Sequence, residues 1–324
     1  MTLESLSGLL ASTGTIALVL AFAAHVAHVV LLANGRRVAM AGSGIVAAAV
    51  AQPAYMTVAG GSFVTGVAAR RAEAGDATRP VDAADPTPLS GLARWLTIVA
   101  FGLLAGALLA RGIVVGRGPW GNLYEFSIAF ATAITGGFLL LKRRYPIASL
   151  GFIPLGVAAA LTLYAASLPS DIRPLVPALA NAPLLTIHVG MAVIAYGIFA
   201  TAFAAGVGYL VQGPGDRFAW LPSHRVLDAV AYRAVVIGFP IFATMIVLGS
   251  WWASIAWSRY WGWDPKETAA LATWLVYAVY LHARNRRSWA GRPAALLLVV
   301  GFAMVLVTFS GSLWFNGLHA YSGL

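Results

Sequence analysis

Trp251, Trp252, Trp257, Trp261 and Trp263 all fall in the stretch WWASIAWSRYWGWDPKE, which runs from Trp251 to Glu267. Tyr260 adds another ring, and Asp264, Lys266 and Glu267 place charge at the edge. Aromatic residues are ordinary at a membrane boundary, because their rings are apolar and their polar tips seek water. A platform this dense suggests instead a flat ligand, with acidic and basic groups at its rim. His188 and His319 lie far from this stretch in sequence, each at an edge of an apolar run. Two neutral imidazoles from different segments can approach a haem iron from its two faces. The tryptophans would then stack on the porphyrin or cover it, and Arg259 and Lys266 could meet its propionates through charge-assisted hydrogen bonds. His282 is placed differently, about 22 Å down a helix from Glu267 at 1.5 Å per residue. Trp274, Ala278 and His282 lie near one helix face, and the small residue beside the histidine leaves room for a flat ligand. Ionisable residues inside a membrane are functional candidates by default.

Each of these residues also has a plainer reading. A lone histidine at a helix end is an ordinary interfacial polar residue, and a Trp-rich stretch is an ordinary girdle. His282 stands beside Arg284, Arg286 and Arg287, in company that suits the headgroup zone. His25 and His28, three apart on one helix face, are read as hydrogen-bonding neighbouring helices. His224 lies in a polar segment and is assigned no role.

Composition says what must position these residues. The chain has 324 residues, 60% hydrophobic and only 10% charged, against about 25% charged in a soluble domain. Several apolar runs reach the roughly 20 residues that a helix needs to cross the hydrocarbon core. Only helices and closed barrels satisfy the backbone in lipid, and long continuous runs argue against a barrel, whose strands alternate. The fold expected is all-α and polytopic, with about eight transmembrane helices. The net charge of +10 sits in short segments between apolar runs, as the positive-inside rule gives; it sets orientation and implies no nucleic acid. The chain has no cysteine, so its own residues cannot carry thiol exchange or thiolate ligation. The N-terminus lacks the basic region of a cleaved signal peptide, and the first apolar run is read as retained.

In chain order, the spans expected are Ala11–Leu32, Leu92–Ala110, Leu123–Leu141, Ile147–Ala166, His188–Val211, Ala234–Gly249, Thr268–Leu281 and Pro293–Gly311. Val38–Val64 is read as re-entrant or interfacial. Residues 1–64 form an N-terminal unit, 65–91 a cytoplasmic linker, and 92–324 the main transmembrane domain. Lys142, Arg143 and Arg144 form a cytoplasmic tether. That orientation puts both chain ends, His188, His319 and the Trp-rich loop outside, and His282 towards the cytoplasm.

WSRYWGWDPKETAALATWLVYAVYLHAR resembles the WWD signature of the haem-handling proteins of cytochrome c biogenesis. The match is to the CcsA/ResC type (CcsB in some lineages) of the system II pathway. GPWGNLYEF, LLTIHVGMAVIAYGIF and NGLHAYSG also stand in the family's order, so the resemblance runs from about Leu92 to the C-terminus. It implies external haem ligands at His188 and His319, an intramembrane histidine at His282, and WWD residues at Trp257, Trp261, Trp263, Asp264 and Glu267. Ser258 stands where the family often has glycine. The resemblance further implies haem b as a non-covalently bound substrate in the plasma membrane. Its partners would be a ResB/Ccs1-type membrane protein and an apocytochrome c whose CXXCH segment supplies the cysteines. The function implied is haem transport and presentation for attachment, as the CcsA-type subunit of a cytochrome c synthase (haem lyase). Two other functions fit parts of the pattern: a haem exporter that loads a chaperone, and a non-haem transporter with an aromatic gate.

Overall fold

The computed structural model describes residues 2–50, 88–172, 182–213, 215–284, 286 and 289–319. Among them the chain forms eight α-helices: α1 Leu3–Val50, α2 Pro88–Val115, α3 Leu123–Lys142, α4 Phe152–Ala166, α5 Ala182–Gln212, α6 His224–Trp257, α7 Pro265–Arg284 and α8 Arg292–Trp314. A single 3-10 turn at Ala148–Leu150 leads into α4. Seven of the helices, all but α7 and with α4 counted together with its 3-10 turn as Ala148–Ala166, are long and apolar enough to cross a membrane. α7 has the length for it, about 30 Å at 1.5 Å per residue, but it carries Lys266, Glu267, His282 and Arg284. It packs between α6 and α8, where the Thr273 and Thr308 hydroxyls meet at 3.2 Å.

Neighbours in sequence are neighbours in space: α1 lies on α2, α5 on α6 and α7 on α8, while α3 touches α2, α4 and α5. Helix α3 is the most enclosed, with 67% of its apolar window buried. Glycine lets it sit there, since a Cβ on Gly137 would stand 2.9 Å from the Gly197 carbonyl oxygen of α5. Small residues allow such close backbone approach between membrane helices.

The helices run past the expected spans. Helix α6 begins at His224, capped by Ser223, rather than at Ala234, so His224 is a helical residue and not part of a loop. It continues to Trp257 rather than stopping at Gly249, so Trp251, Trp252 and Trp257 are helical and the Trp-rich loop shrinks to 258–264. Helix α5 begins six residues before His188. Helix α1 continues past Asn34-Gly35 and through the first part of the segment read as re-entrant; residues 51–64 of that segment lie outside the described residues. So does the expected linker, except for its last four residues, which open α2.

Candidate functional site

Antiparallel alternation gathers distant segments at one end of the bundle. The α2–α3 connection, the first half of α5, the second half of α6, the start of α7 and the end of α8 together enclose a cleft of about 1100 Å³, its open mouth included. His188, His319, Trp257, Trp261, Lys266 and Glu267 all line it. These six expected residues therefore meet in one place although their sequence positions differ by up to 131, from His188 to His319. Arg259 is exposed and does not line the cleft.

His188 is fixed on two sides. Its Nδ1 lies 2.8 Å from the Met245 carbonyl oxygen of α6. A carbonyl only accepts, so Nδ1 carries the proton and the Nε2 lone pair is left free. One turn further along α6, Gly249 leaves the room the ring needs: a Cβ there would stand 2.5 Å from His188 Cε1. Trp252 stacks on the imidazole at 6.4 Å between centroids and 10° between planes.

His319 is held from behind by Asp264. Its Nδ1 lies 2.7 Å from Asp264 Oδ1, and a carboxylate at ordinary pH only accepts, so Nδ1–H donates. The same carboxylate accepts the Lys266 N–H at 2.9 Å and the Leu318 N–H at 2.6 Å. Burial alone would raise the Asp264 carboxyl, but its hydrogen bonds with His319 and the two amides outweigh burial and hold it below the usual carboxylate range. Asp264 also begins α7. Its carbonyl accepts the Thr268 N–H at 2.9 Å, Pro265 occupies the first helical position, and Glu267 reaches back to the Asp264 N–H at 3.1 Å and the Gly262 N–H at 2.8 Å. This is a capping box. The loop before it needs two left-handed residues, Ser258 at φ +56° and Trp263 at φ +55°. Ser258 ends α6 in that conformation, which explains why glycine suits the position: it has no Cβ to clash there.

The aromatic residues divide. Trp257 packs edge-on against His319 at 4.8 Å and against Trp252 at 4.7 Å. Trp261 lines the cleft, whereas Trp263, edge-on to it at 5.7 Å, is 69% exposed and outside the cleft. Lys266 points into the cleft over the Phe126 ring. Burial lowers its ammonium to about 8, against the upward pull of Asp264.

The structure does not bring His282 to this cleft. It lies near the far end of α7 with an exposed side chain. His25 and His28 are buried; His25 bonds the Ala148 carbonyl and the Thr97 hydroxyl, in keeping with helix-to-helix bonding.

Two parts of the site were not singled out from sequence. Trp252 is only 2% exposed and touches both histidines, its centroid 5.9 Å from that of His319. Trp120 lines the cleft from the α2–α3 connection. Both indole N–H groups are buried with no protein partner among the described residues. Behind Trp120 is a buried ion triad: Arg111 Nε and Arg117 Nη1 each reach Glu125 at 2.9 Å. Glu125 also accepts the Gly121 N–H at 2.8 Å, and the Gly118 N–H bonds Thr186 of α5 at 3.1 Å. These bonds fix the segment carrying Trp120 to α5 at Thr186, two residues before His188. The signal for them was the charge before and within GPWGNLYEF, three ionic residues in an otherwise apolar region.

A sequence profile described as cytochrome C assembly protein matches residues 120–319, which begin and end on cleft residues. Among curated relatives, the cytochrome c biogenesis protein CcsA of Synechococcus sp. (strain CC9902) is 34% identical over 265 residues, 71% of this chain and 86% of the relative. Those of Gloeothece citriformis and Porphyra purpurea are each 31% identical, covering 67% and 73% of this chain and 83% and 88% of their own lengths.

Proposed function

The chain belongs to the cytochrome c assembly protein family as a CcsA-type biogenesis protein with a role in cytochrome c maturation, and from that premise we propose that its cleft holds haem b for attachment to apocytochrome c. One observation carries the proposal: two histidines from distant segments, each with Nδ1 tied to an acceptor, line one aromatic cleft. Among the described residues no group of three or more His, Asp or Glu could hold a metal ion. Two imidazoles suit an iron whose other four ligands come from a porphyrin.

In this reading His188 and His319 take the two axial positions, and Trp252, Trp257 and Trp261 form the apolar walls. Lys266 faces a propionate. The cleft opens on the extracytoplasmic side of the plasma membrane, and haem reaches it from the cytoplasmic side past His282. A ResB/Ccs1-type protein completes the synthase. The substrate's CXXCH segment brings both thiols. Each S–H adds across a vinyl group: a carbon–sulfur bond forms, the thiol proton ends on the other vinyl carbon, and no net oxidation occurs. The substrate's own histidine then replaces one of the cleft histidines on iron. This chain contributes positioning and control of the iron's coordination.

The test is cytochrome c maturation in cells that depend on this chain. His188→Ala and His319→Ala should each abolish it, with added imidazole restoring part by standing in for the missing ring. Full maturation in both variants would remove the ligand assignment.

A further inference from the structure

We infer that Asp264 is a positioning residue: it locks the segment after α8 onto the start of α7 and so aims His319 at the cleft, making His319 the exchangeable member of the pair. The inference rests on reading His319 as an iron ligand. Asp264 is buried but is not part of the cleft wall, so it acts through the histidine rather than on the bound molecule. Its two oxygens divide the work: Oδ1 takes the Lys266 amide and His319 Nδ1, and Oδ2 takes the Leu318 amide. Gly317 makes the approach possible, because a Cβ there would overlap Asp264 Oδ2 and stand 3.0 Å from Pro265 Cδ. The two histidines are therefore held unequally. His188 sits inside a helix, its ring held against the Met245 carbonyl and Gly249 of α6. His319 lies beyond the last turn of α8 and is tied back to Asp264 by its ring and by the neighbouring amide. Releasing His319 opens that tie without unwinding a helix.

Asparagine separates the lock from the cap. Asn caps helices as well as Asp does, so Asp264→Asn can keep the Lys266 bond and the start of α7. Its NH2 group then takes the place of Oδ2 and faces the Leu318 N–H, donor against donor. Gly317→Ala attacks the lock from the other side and leaves the cap alone.

The purified full-length chain is titrated with ferric haem and followed by absorbance, and exchange of the Leu318 amide is measured without haem. Both variants should lose affinity by about 10–100-fold, the usual cost of removing a group that orients a metal ligand. Their spectra should shift towards high spin and return with added imidazole, and the Leu318 amide should lose protection. Wild-type affinity, spectrum and Leu318 protection in both variants would overturn the lock. A wild-type chain that binds no haem, or whose spectrum ignores His319→Ala, would sink the ligand reading instead; the Leu318 exchange would then decide the lock by itself.

Discussion

Replacing Gly249 with alanine should displace His188 while leaving the fold nearly as stable as before. The added Cβ would lie 2.5 Å from His188 Cε1 and 3.0 Å from Nδ1. Carbon atoms in contact sit about 3.5–4.0 Å apart, so the ring must retreat by about 1 Å. His188 Nδ1 now lies 2.8 Å from the Met245 oxygen, and a retreat of that size takes it past the range of a useful hydrogen bond. Losing the bond costs about 0.5–1.5 kcal/mol. Alanine in place of glycine within a helix returns about 0.8–1.0 kcal/mol, so the two nearly cancel. Haem affinity has no such compensation and should fall by about 10–100-fold. The assay pairs a haem titration, followed by absorbance, with thermal unfolding of the same detergent-solubilised protein. Unchanged affinity would refute the claim that Gly249 and Met245 together orient His188. A large loss of stability would show that the overlap is relieved by moving helices rather than the ring.

Other expectations follow from single residues. Ser258→Gly should stabilise the protein by about 1 kcal/mol, because a non-glycine residue pays about 1–2 kcal/mol in the left-handed region and glycine gives part of that back in lost chain entropy; an unchanged unfolding midpoint would argue against that conformation. Glu125→Gln should cost about 3–5 kcal/mol, since it leaves Arg111 and Arg117 buried without their carboxylate, and thermal unfolding reads this directly. Lys266 titrates at about 8 in the fold against 10.5 ordinarily. Its burial therefore weighs on stability below pH 8, and that burden lifts as pH rises towards 10.5. Haem binding should run the other way, weakening through pH 8 as the ammonium is lost, and Lys266→Met should flatten that dependence.

Much of this arrangement is legible in the sequence. Apolar run lengths give the helices, and the parity of their crossings puts His188, His319, Trp257, Trp261, Lys266 and Glu267 at one end. Helix ends are less legible. A run's apolar core marks only what lipid must cover, so the polar turn from His224 to Arg233 and the aromatic turn from Trp251 to Trp257 look like loop while both belong to α6. Three-dimensional pairing is not legible at all. Arg111, Arg117 and Glu125 look like boundary charges in one dimension yet close into a buried triad. Trp252 looks like another girdle residue, though it packs beside both histidines. Asp264 is legible as a helix cap; that its carboxylate also aims a histidine 55 residues further on follows only from the fold.

The central claim is that His188 and His319 hold one haem between them. Its most direct test is the absorption spectrum of the purified protein, oxidised and reduced, with a pyridine haemochrome assay, for wild type, His188→Ala and His319→Ala. The account predicts a low-spin, non-covalently bound b-type haem whose spectrum changes in both variants and recovers with added imidazole. A spectrum indifferent to both substitutions would contradict it, as would a protein that stays colourless even when co-expressed with a ResB-type protein.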